Sequence, residues 1–439
     1  MKSGGVDLNF TADNTCEKRA REEAYLRVLK KELIPALGCT EPIAIAYACA
    51  RVRRLLGDIP DRLCVALSGN ILKNVKSVVV PNSGGRKGAR IAAVLGTVCG
   101  DDSRRLEVLE DVKPEDLALC DRLCAEPEYC SISLLETDFC LHLRVDAFSG
   151  GRSACVEIAH SHTNIIYEEA DGVVLSKADA VAAPEQDDAP RFCLSDIVEF
   201  AQTVPLDEIR PMLARQISMN LAAAREGLRG TYGLCVGKTM LRTADGLPDR
   251  VAACYAAAAS DARMGGCRMP VVINSGSGNQ GAAVSLPVIL YAECKGVSEE
   301  RMYRALALSN LLAVYQKQSI GSLSAYCGAV SAASAAAAGA AFLDGKNLDV
   351  IEKTVRNMLA DVAGMICDGA KASCAAKIYS AVTAAFLAYH LAAEGHSVEP
   401  GDGLAVSDID VLIGRYGRIA CDGMRQMDRM ILQMMAETV

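Results

Sequence analysis

Three cysteines in the last third of the chain have a side-chain type and spacing that could hold an inorganic cofactor. Cys327, Cys367 and Cys374 lie forty and seven positions apart, each beside glycine or another small residue. Three thiolates can hold an iron–sulfur cluster and leave one iron open, because full thiolate ligation takes four. An open iron acts as a Lewis acid, so this pattern predicts a metal-dependent lyase.

The same cysteines have a simpler interpretation. The chain contains 19 cysteines among 439 residues, and a free cysteine commonly behaves as a small buried hydrophobic residue. The polar N-terminal residues do not resemble a secretory leader, so we expect the cytoplasm and free thiols rather than disulfides. Zinc is a further alternative, although a three-cysteine zinc site without a nearby histidine is unusual.

Composition limits the classes of partner. The net charge is −8, aromatic residues make up 5% and tryptophan is absent, which argues against a basic or base-stacking surface for nucleic acid. The longest uncharged stretch, 318–343, consists mainly of alanine, glycine and serine. Its length would admit a membrane span, but small-residue packing inside a protein core fits this composition better. We therefore expect neither nucleic acid nor a membrane as partner.

A second chemical feature lies where the short apolar run 269–273 leads into a predicted helix. The connecting segment supplies glycines, hydroxyls and amides, and its residues are Asn274, Ser275, Gly276, Ser277, Gly278, Asn279 and Gln280. Glycines let a ligand approach the backbone, and a helix N-terminus offers free N–H groups to an anion. The segment predicts a site for an amino-acid carboxylate, the alternative being a plain strand-to-helix turn.

Two other segments give weaker signals. The glycine-rich loop that contains Asn82, Ser83 and Arg86 could hold a carboxylate, but an exposed connection explains it equally well. His160 and His162 would share one face of a strand, without a third metal ligand at regular spacing. We interpret His160 as a core or interface residue and keep His162 as a candidate for proton transfer.

The elements that must position these residues change character along the chain. Residues 1–57 predict two helices, 58–176 an α+β lobe, 177–191 a polar linker and 192–439 a helical domain. The apolar runs interpreted as strands in the lobe are 63–67, 78–80, 106–108, 141–145 and 155–158. We predict an α+β protein: a mainly helical catalytic domain with an inserted smaller α+β lobe. The N-terminal helices are expected to pack on the catalytic domain.

The turn Gly38-Cys39-Thr40-Glu41-Pro42 carries a family resemblance. Together with 274–281, Cys327-Gly328 and the segment from Cys367 to Cys374, it resembles the L-cysteine desulfidase family, which is related to the α chain of bacterial iron–sulfur L-serine dehydratases. The resemblance covers nearly the whole chain. Its most specific parts are this turn and the two cysteines separated by six residues.

The resemblance implies a [4Fe-4S] cluster on the three late cysteines and places a catalytic thiol at Cys39, with Thr40 beside it as a substrate-binding residue. The implied reaction is β-elimination of L-cysteine to pyruvate, ammonia and hydrogen sulfide. Cys39 could take the α-proton as a thiolate if the helix after Pro42, or the cluster, lowers its pKa. Glu41 could instead be the base, or a helix cap.

Other functions stay open from sequence alone. Cysteine and serine differ by one atom at the leaving group, so L-serine dehydration is an alternative. A pyridoxal-phosphate enzyme would use a Schiff-base lysine such as Lys238, but this reading leaves the cysteines unexplained. A non-catalytic cysteine or redox sensor is a third alternative. The expected partner is a small amino-acid substrate, and the alanine-rich helices could also serve a homodimer interface.

Overall fold

A computed structural model describes residues 9–178, 191–321 and 324–437. Most of the predicted linker 177–191, and the first eight residues, lie outside these ranges. The helices are α1 (Asn9–Glu32), α2 (Thr40–Leu56), α3 (Gly69–Val75), α4 (Ala89–Cys99), α5 (Pro114–Ala125), α6 (Leu194–Thr203), α7 (Leu206–Arg229), α8 (Val236–Leu241), α9 (Pro248–Met264), α10 (Gly278–Lys295), α11 (Glu299–Ile320), α12 (Gly328–Leu343), α13 (Leu348–Val362), α14 (Cys374–Ala393), α15 (Ile409–Arg418) and α16 (Arg425–Glu437). The strands are β1 (Pro35–Ala36), β2 (Arg62–Leu67), β3 (Cys130–Leu134), β4 (His142–Ser149), β5 (Arg152–Ala159), β6 (Ile165–Ala170), β7 (Val173–Lys177) and β8 (Val271–Val272).

Six of the strands form one sheet in the order β3-β2-β4-β5-β6-β7. The β2–β3 pair is parallel and the other neighbours are antiparallel, with Val65 of β2 opposite Val145 of β4. Burial alternates along β2 and β4 because successive side chains point to opposite faces of a sheet. The buried face packs against α2, and α4 packs against α2 and contacts the edge strand β3.

The helical part is built around α12, whose alanine and serine side chains are buried on nearly every face. Helices α10, α11, α13 and α14 pack around it. Small side chains let these helices approach closely, which explains the alanine-rich composition of Gly328–Leu343 as a core. Among the described residues, no helix combines the length and the apolar character that a membrane span requires.

The prediction of an α+β fold with a mainly helical body is confirmed. The expected packing of 1–57 differs from the structure in its second half. Helix α1 does pack on the helical core through Tyr25 and Leu29, but α2 lies in the hydrophobic core of the sheet lobe. Helix α2 is buried on almost all faces, so its sequence gave no polar face to indicate which core it enters.

Local elements also differ from the sequence-based prediction. The run 78–80 contributes only an isolated bridge between Val79 and Lys87, and 106–108 lies at the end of a short 3₁₀ helix. Conversely, the two-residue strand β1 was not anticipated. It pairs antiparallel with β8, with Pro35 opposite Val272, and so ties the chain entering the sheet lobe to the helical body.

Candidate functional site

A cavity of about 690 Å³ lies where the sheet lobe meets the helical body. Twelve of the residues singled out from sequence line it, and they come from both parts of the molecule. They are Cys39, Thr40, Glu41, His162, Ser275, Gly276, Ser277, Asn279, Gln280, Cys327, Cys367 and Cys374. Cys39 forms a small apolar cluster with Val78 and Met264, and Cys374 packs against that cluster. The Cys39 thiol and the late cysteines therefore share one cavity.

Backbone pairing brings two of the late cysteines together. An isolated antiparallel bridge joins Tyr326 to Ile366, and the N–H of Cys327 donates to the carbonyl of Met365 at 2.9 Å. Cys327 and Cys367 each follow one of the bridged residues, so their side chains lie on the same face of this bridge. Cys374 begins α14, and its Sγ lies 3.7 Å from the carbonyl of Gly369.

The charges around these thiols favour a thiolate at Cys367. The Cys327 thiol beside it lowers the pKa of Cys367, and the pKa of Cys327 itself is raised. The N–H of Gly369 and the cations Lys73 and Lys377 lower the pKa of Cys367 further. Positive charge placed beside sulfur is the environment that stabilises metal-binding thiolates.

The donor set fits an iron–sulfur cluster better than a single ion. In the described ranges, no group of three or more His, Cys, Asp or Glu side chains is gathered closely enough to hold one metal ion. A four-iron cluster needs no such convergence, because each cysteine binds a separate iron. Cys327, Cys367 and Cys374 supply three thiols to one cavity, and a four-iron cluster held by them would keep one iron without a cysteine ligand.

The first turn of α2 holds a buried carboxylate with a dense set of donors. The Cys39 Sγ donates to Oε2 of Glu41 at 2.9 Å, and Thr40 Oγ1 lies 3.3 Å from the same oxygen. Asn74 Nδ2 donates to Oε1 at 3.1 Å. His162 Nε2 stands 4.0 Å from Oε1, an ion-pair distance rather than a hydrogen bond. Glu41 is thus held by side chains from three different segments.

These contacts set the proton positions. Burial raises the pKa of Glu41, but the attraction of His162 and the Cys39 thiol outweighs it, and the pKa falls to about 2. Burial and the neighbouring carboxylate instead raise the pKa of Cys39 well above its ordinary value. A lowered pKa at Cys39, which its place at the start of α2 suggested, is therefore not what the structure gives. The Cys39 sulfur is therefore protonated, and the Glu41 carboxylate carries the negative charge.

The segment before α10 lines the same cavity as the thiols. Ser277 caps α10, its side chain accepting from the N–H of Gln280 at 3.4 Å, and Thr40 Oγ1 donates to the carbonyl of Gly276 at 3.0 Å. Two residues of the segment do not line the cavity. Asn274 is fully buried and donates to Asn310, whereas Gly278 packs against the guanidinium of Arg263.

The loop that contains Asn82, Ser83 and Arg86 does not line the cavity. Asn82 donates to the carbonyl of Leu109 at 2.6 Å, and the Ser83 hydroxyl donates to the carbonyl of Arg86. The Arg86 guanidinium forms a two-point contact with Asp121. The donors expected to bind a carboxylate thus hold the loop itself in shape.

Buried cations are the site residues that the sequence analysis missed. Arg263 in α9, Lys317 in α11 and Lys73 in α3 all line the cavity and are almost fully buried. Burial lowers the pKa of both Arg263 and Lys317. A charge within an alanine-rich or leucine-rich helix is the signal that could have identified the first two. Lys238, the Schiff-base candidate, lies outside the cavity lining and donates to backbone carbonyls.

Comparisons with known proteins cover most of the chain. The family model described as serine dehydratase alpha chain matches residues 103–433, which include the three late cysteines. A UPF0597 protein of Lachnoclostridium phytofermentans is 47% identical over 410 residues, which are 93% of this chain and 98% of the relative. A UPF0597 protein of Treponema denticola is 43% identical over 425 residues, 95% and 98% of the two chains.

Proposed function

Because the chain belongs to the serine dehydratase α-chain family, we propose that it is a lyase that removes the β-substituent of a small L-amino acid. The proposed substrate is L-cysteine, and the products are pyruvate, ammonia and hydrogen sulfide. One observation carries the proposal: a single cavity joins three cysteine thiols, a thiol–carboxylate pair and the N-terminal end of α10. In the proposed reaction, the three thiols would hold the cofactor that assists the leaving group, the thiol–carboxylate pair would take the α-proton, and the helix end would bind the carboxylate.

The three cysteine thiols support an iron–sulfur cluster as the proposed cofactor. Cys327, Cys367 and Cys374 would hold a [4Fe-4S] cluster, with the cations Lys73 and Lys377 balancing the thiolate charge. When bound, such a cluster supplies an open iron that neutralises negative charge on the departing sulfur. Without that neutralisation, a thiolate leaving group would depart slowly.

The proton transfer belongs to the Cys39–Glu41 pair. In the free protein the carboxylate is charged and the thiol is protonated, so Glu41 is the group able to accept a proton. We assign the α-proton of the substrate to Cys39 Sγ, while the proton already on sulfur passes over 2.9 Å to Glu41. The electron pair of the C–H bond forms the Cα–Cβ double bond, and the C–S bond breaks. The enamine so formed tautomerises and hydrolyses to pyruvate and ammonia.

L-Serine is the second candidate substrate, because the family description names serine dehydratase. The test is to purify and reconstitute the protein without oxygen, count iron and sulfide, and measure pyruvate from L-cysteine and from L-serine. Hydrogen sulfide release from L-cysteine, at a higher kcat/KM than pyruvate release from L-serine, is the expected result. Iron-loaded protein that forms pyruvate from neither amino acid would contradict the proposal.

The ligand assignment has its own test. Single Ser replacements of Cys327, Cys367 and Cys374 should each lower the bound iron and abolish turnover, because each thiolate holds one iron. Cys254 and Cys294 are matched controls, since they lie on α9 and α10 outside the cavity lining. Equal iron loss in all five variants would show that other residues bind the metal.

A further inference from the structure

Arg263 is a buried cation with an unusual set of partners. It is 2% exposed, lies in the last turn of α9 and lines the cavity. One terminal nitrogen donates to Oδ1 of Asn279 and the other to the carbonyl of Gly38. Its Nε is buried and has no acceptor among the described residues. The guanidinium is thus fixed in place through its two terminal nitrogens, and its third nitrogen, Nε, has no acceptor.

Neither fixed acceptor carries a charge. Other arginines of the chain pair with carboxylates: Arg51 contacts Glu168, and Arg144 contacts Asp146. Within the described ranges, Arg263 has no carboxylate at ion-pair distance. The Glu41 carboxylate attracts the guanidinium only from beyond ion-pair distance, and Nε keeps no acceptor among the described residues. A buried cation with such incomplete pairing is costly, and an anion that enters the cavity would complete the pairing.

The surroundings of Arg263 extend the anion site. Gly278, the first residue of α10, lies against the guanidinium so closely that an added Cβ would stand 2.4 Å from Cζ. The lack of a side chain at Gly278 therefore brings the guanidinium beside the N-terminal end of α10. Free N–H groups and the positive end of the helix dipole favour an anion at the same place.

We propose that Arg263 binds the α-carboxylate of the substrate and restricts the site to amino acids whose carboxylate is free. This assignment rests on the proposed function and adds a specificity-determining residue to it. Arg263 also holds the carbonyl of Gly38, the residue before Cys39, so the bound carboxylate lies next to the reacting thiol. Glu41 supplies the opposite charge that a substrate ammonium needs. The site therefore recognises a zwitterion.

The test measures binding of a ligand that cannot react. L-Alanine has the ammonium and the carboxylate but no leaving group, whereas cysteamine has the thiol and the amine but no carboxylate. In calorimetric titrations of the reconstituted enzyme, Arg263→Met should weaken L-alanine binding by about 10- to 100-fold, the worth of a hydrogen bond to a charged group. Cysteamine binding should change by less than about threefold.

A second variant distinguishes a loss of the carboxylate site from a folding defect in Arg263→Met. Asn279→Asp keeps the side-chain shape and gives Arg263 a carboxylate within the protein. It should leave the fold intact, because it neutralises a buried charge, yet it should weaken L-alanine binding by competing for the guanidinium. Arg53→Met is the matched control, since Arg53 also donates to backbone carbonyls but lies outside the cavity lining; both affinities should stay unchanged.

The outcomes separate this assignment from the proposed function. Weaker L-alanine binding with unchanged cysteamine binding in both variants supports the role of Arg263, even if the wild-type protein forms no pyruvate from L-cysteine. Three results would overturn the assignment of Arg263. These are equal weakening of L-alanine and cysteamine binding, unchanged L-alanine binding in the two variants, and a wild-type protein that does not bind L-alanine. Turnover of L-cysteine by the wild type would then still support the elimination reaction.

Discussion

Replacing Glu41 by glutamine tests the central charge of the site. The carboxylate accepts from Cys39 and Asn74 and faces His162 across 4.0 Å. Glutamine keeps the size of the side chain but removes its negative charge. The variant should therefore lose the electrostatic part of these contacts without leaving a cavity.

The magnitude follows from the pKa of Glu41. The pKa is about 2 in the folded protein against an ordinary value of 4.5 for a glutamate, and this difference corresponds to about 3 kcal/mol of folding free energy. Because the folded-state pKa is the lower one, the stabilisation is complete above about pH 4.5 and is lost as the pH falls towards 2. Glu41→Gln should thus lower the free energy of unfolding by about 3 kcal/mol at pH 7, and by only about 1 kcal/mol at pH 3.

Urea unfolding followed by circular dichroism measures both values. Glu110→Gln is the control, because Glu110 pairs with Arg104 on the surface, where an ion pair contributes less than about 1 kcal/mol. A Glu41→Gln protein as stable as the wild type at pH 7, or a difference that does not shrink at pH 3, would refute the charged network around Glu41. Turnover should also fall, because the proton acceptor is gone.

Three further perturbations probe the remaining parts of the site. Cys39→Ala should retain iron and its absorption spectrum but lose turnover by at least about 10²-fold, the worth of one positioned proton-transfer group; near-normal turnover would assign the α-proton to another residue. Gly369→Ala should lower iron content, because Gly369 has φ of +95° and an added Cβ would stand 2.5 Å from the carbonyl of Lys73. The control Gly395→Ala, at φ of +88° with open space around it, should retain iron. Asp428→Asn removes the carboxylate that pairs with the buried Lys73 ammonium at 2.5 Å, and should lower the free energy of unfolding by about 3 kcal/mol in the same assay. An unchanged unfolding transition would contradict a structural role for that ion pair.

Local sequence signals predicted those parts of the molecule that local physics determines. The short apolar runs 63–67 and 141–145 predict strands, and the structure has β2 and β4 there, with β4 beginning at His142. The three late cysteines stood out because thiols are chemically distinctive, and the structure places all three on one cavity with Cys39. Residue type and short spacing were sufficient for these features.

Other features depend on contacts that no short segment contains. The run 78–80 is apolar and β-branched, yet it lacks a neighbouring strand and forms only a single bridge. Helix α2 is apolar on most faces, so periodicity could not indicate which core it enters. The role proposed for Arg263 depends on its contacts with Gly38, which is distant in sequence, and with Asn279, which lies on another helix. Side-chain partners of this kind become visible only in three dimensions.

The division of the site between two hydrophobic cores has a consequence for thermal inactivation. Cys39 and Glu41 lie at the start of α2, and the body of that helix packs in the core of the sheet lobe. Cys327 packs against the helical core and Cys374 begins α14, and a two-residue ladder joins β1 to β8. Separate cores can open locally with different free energies. Heating should therefore abolish turnover when the less stable core melts, while much of the helical signal persists. Retained helicity would then be a poor indicator of an intact enzyme during purification and storage.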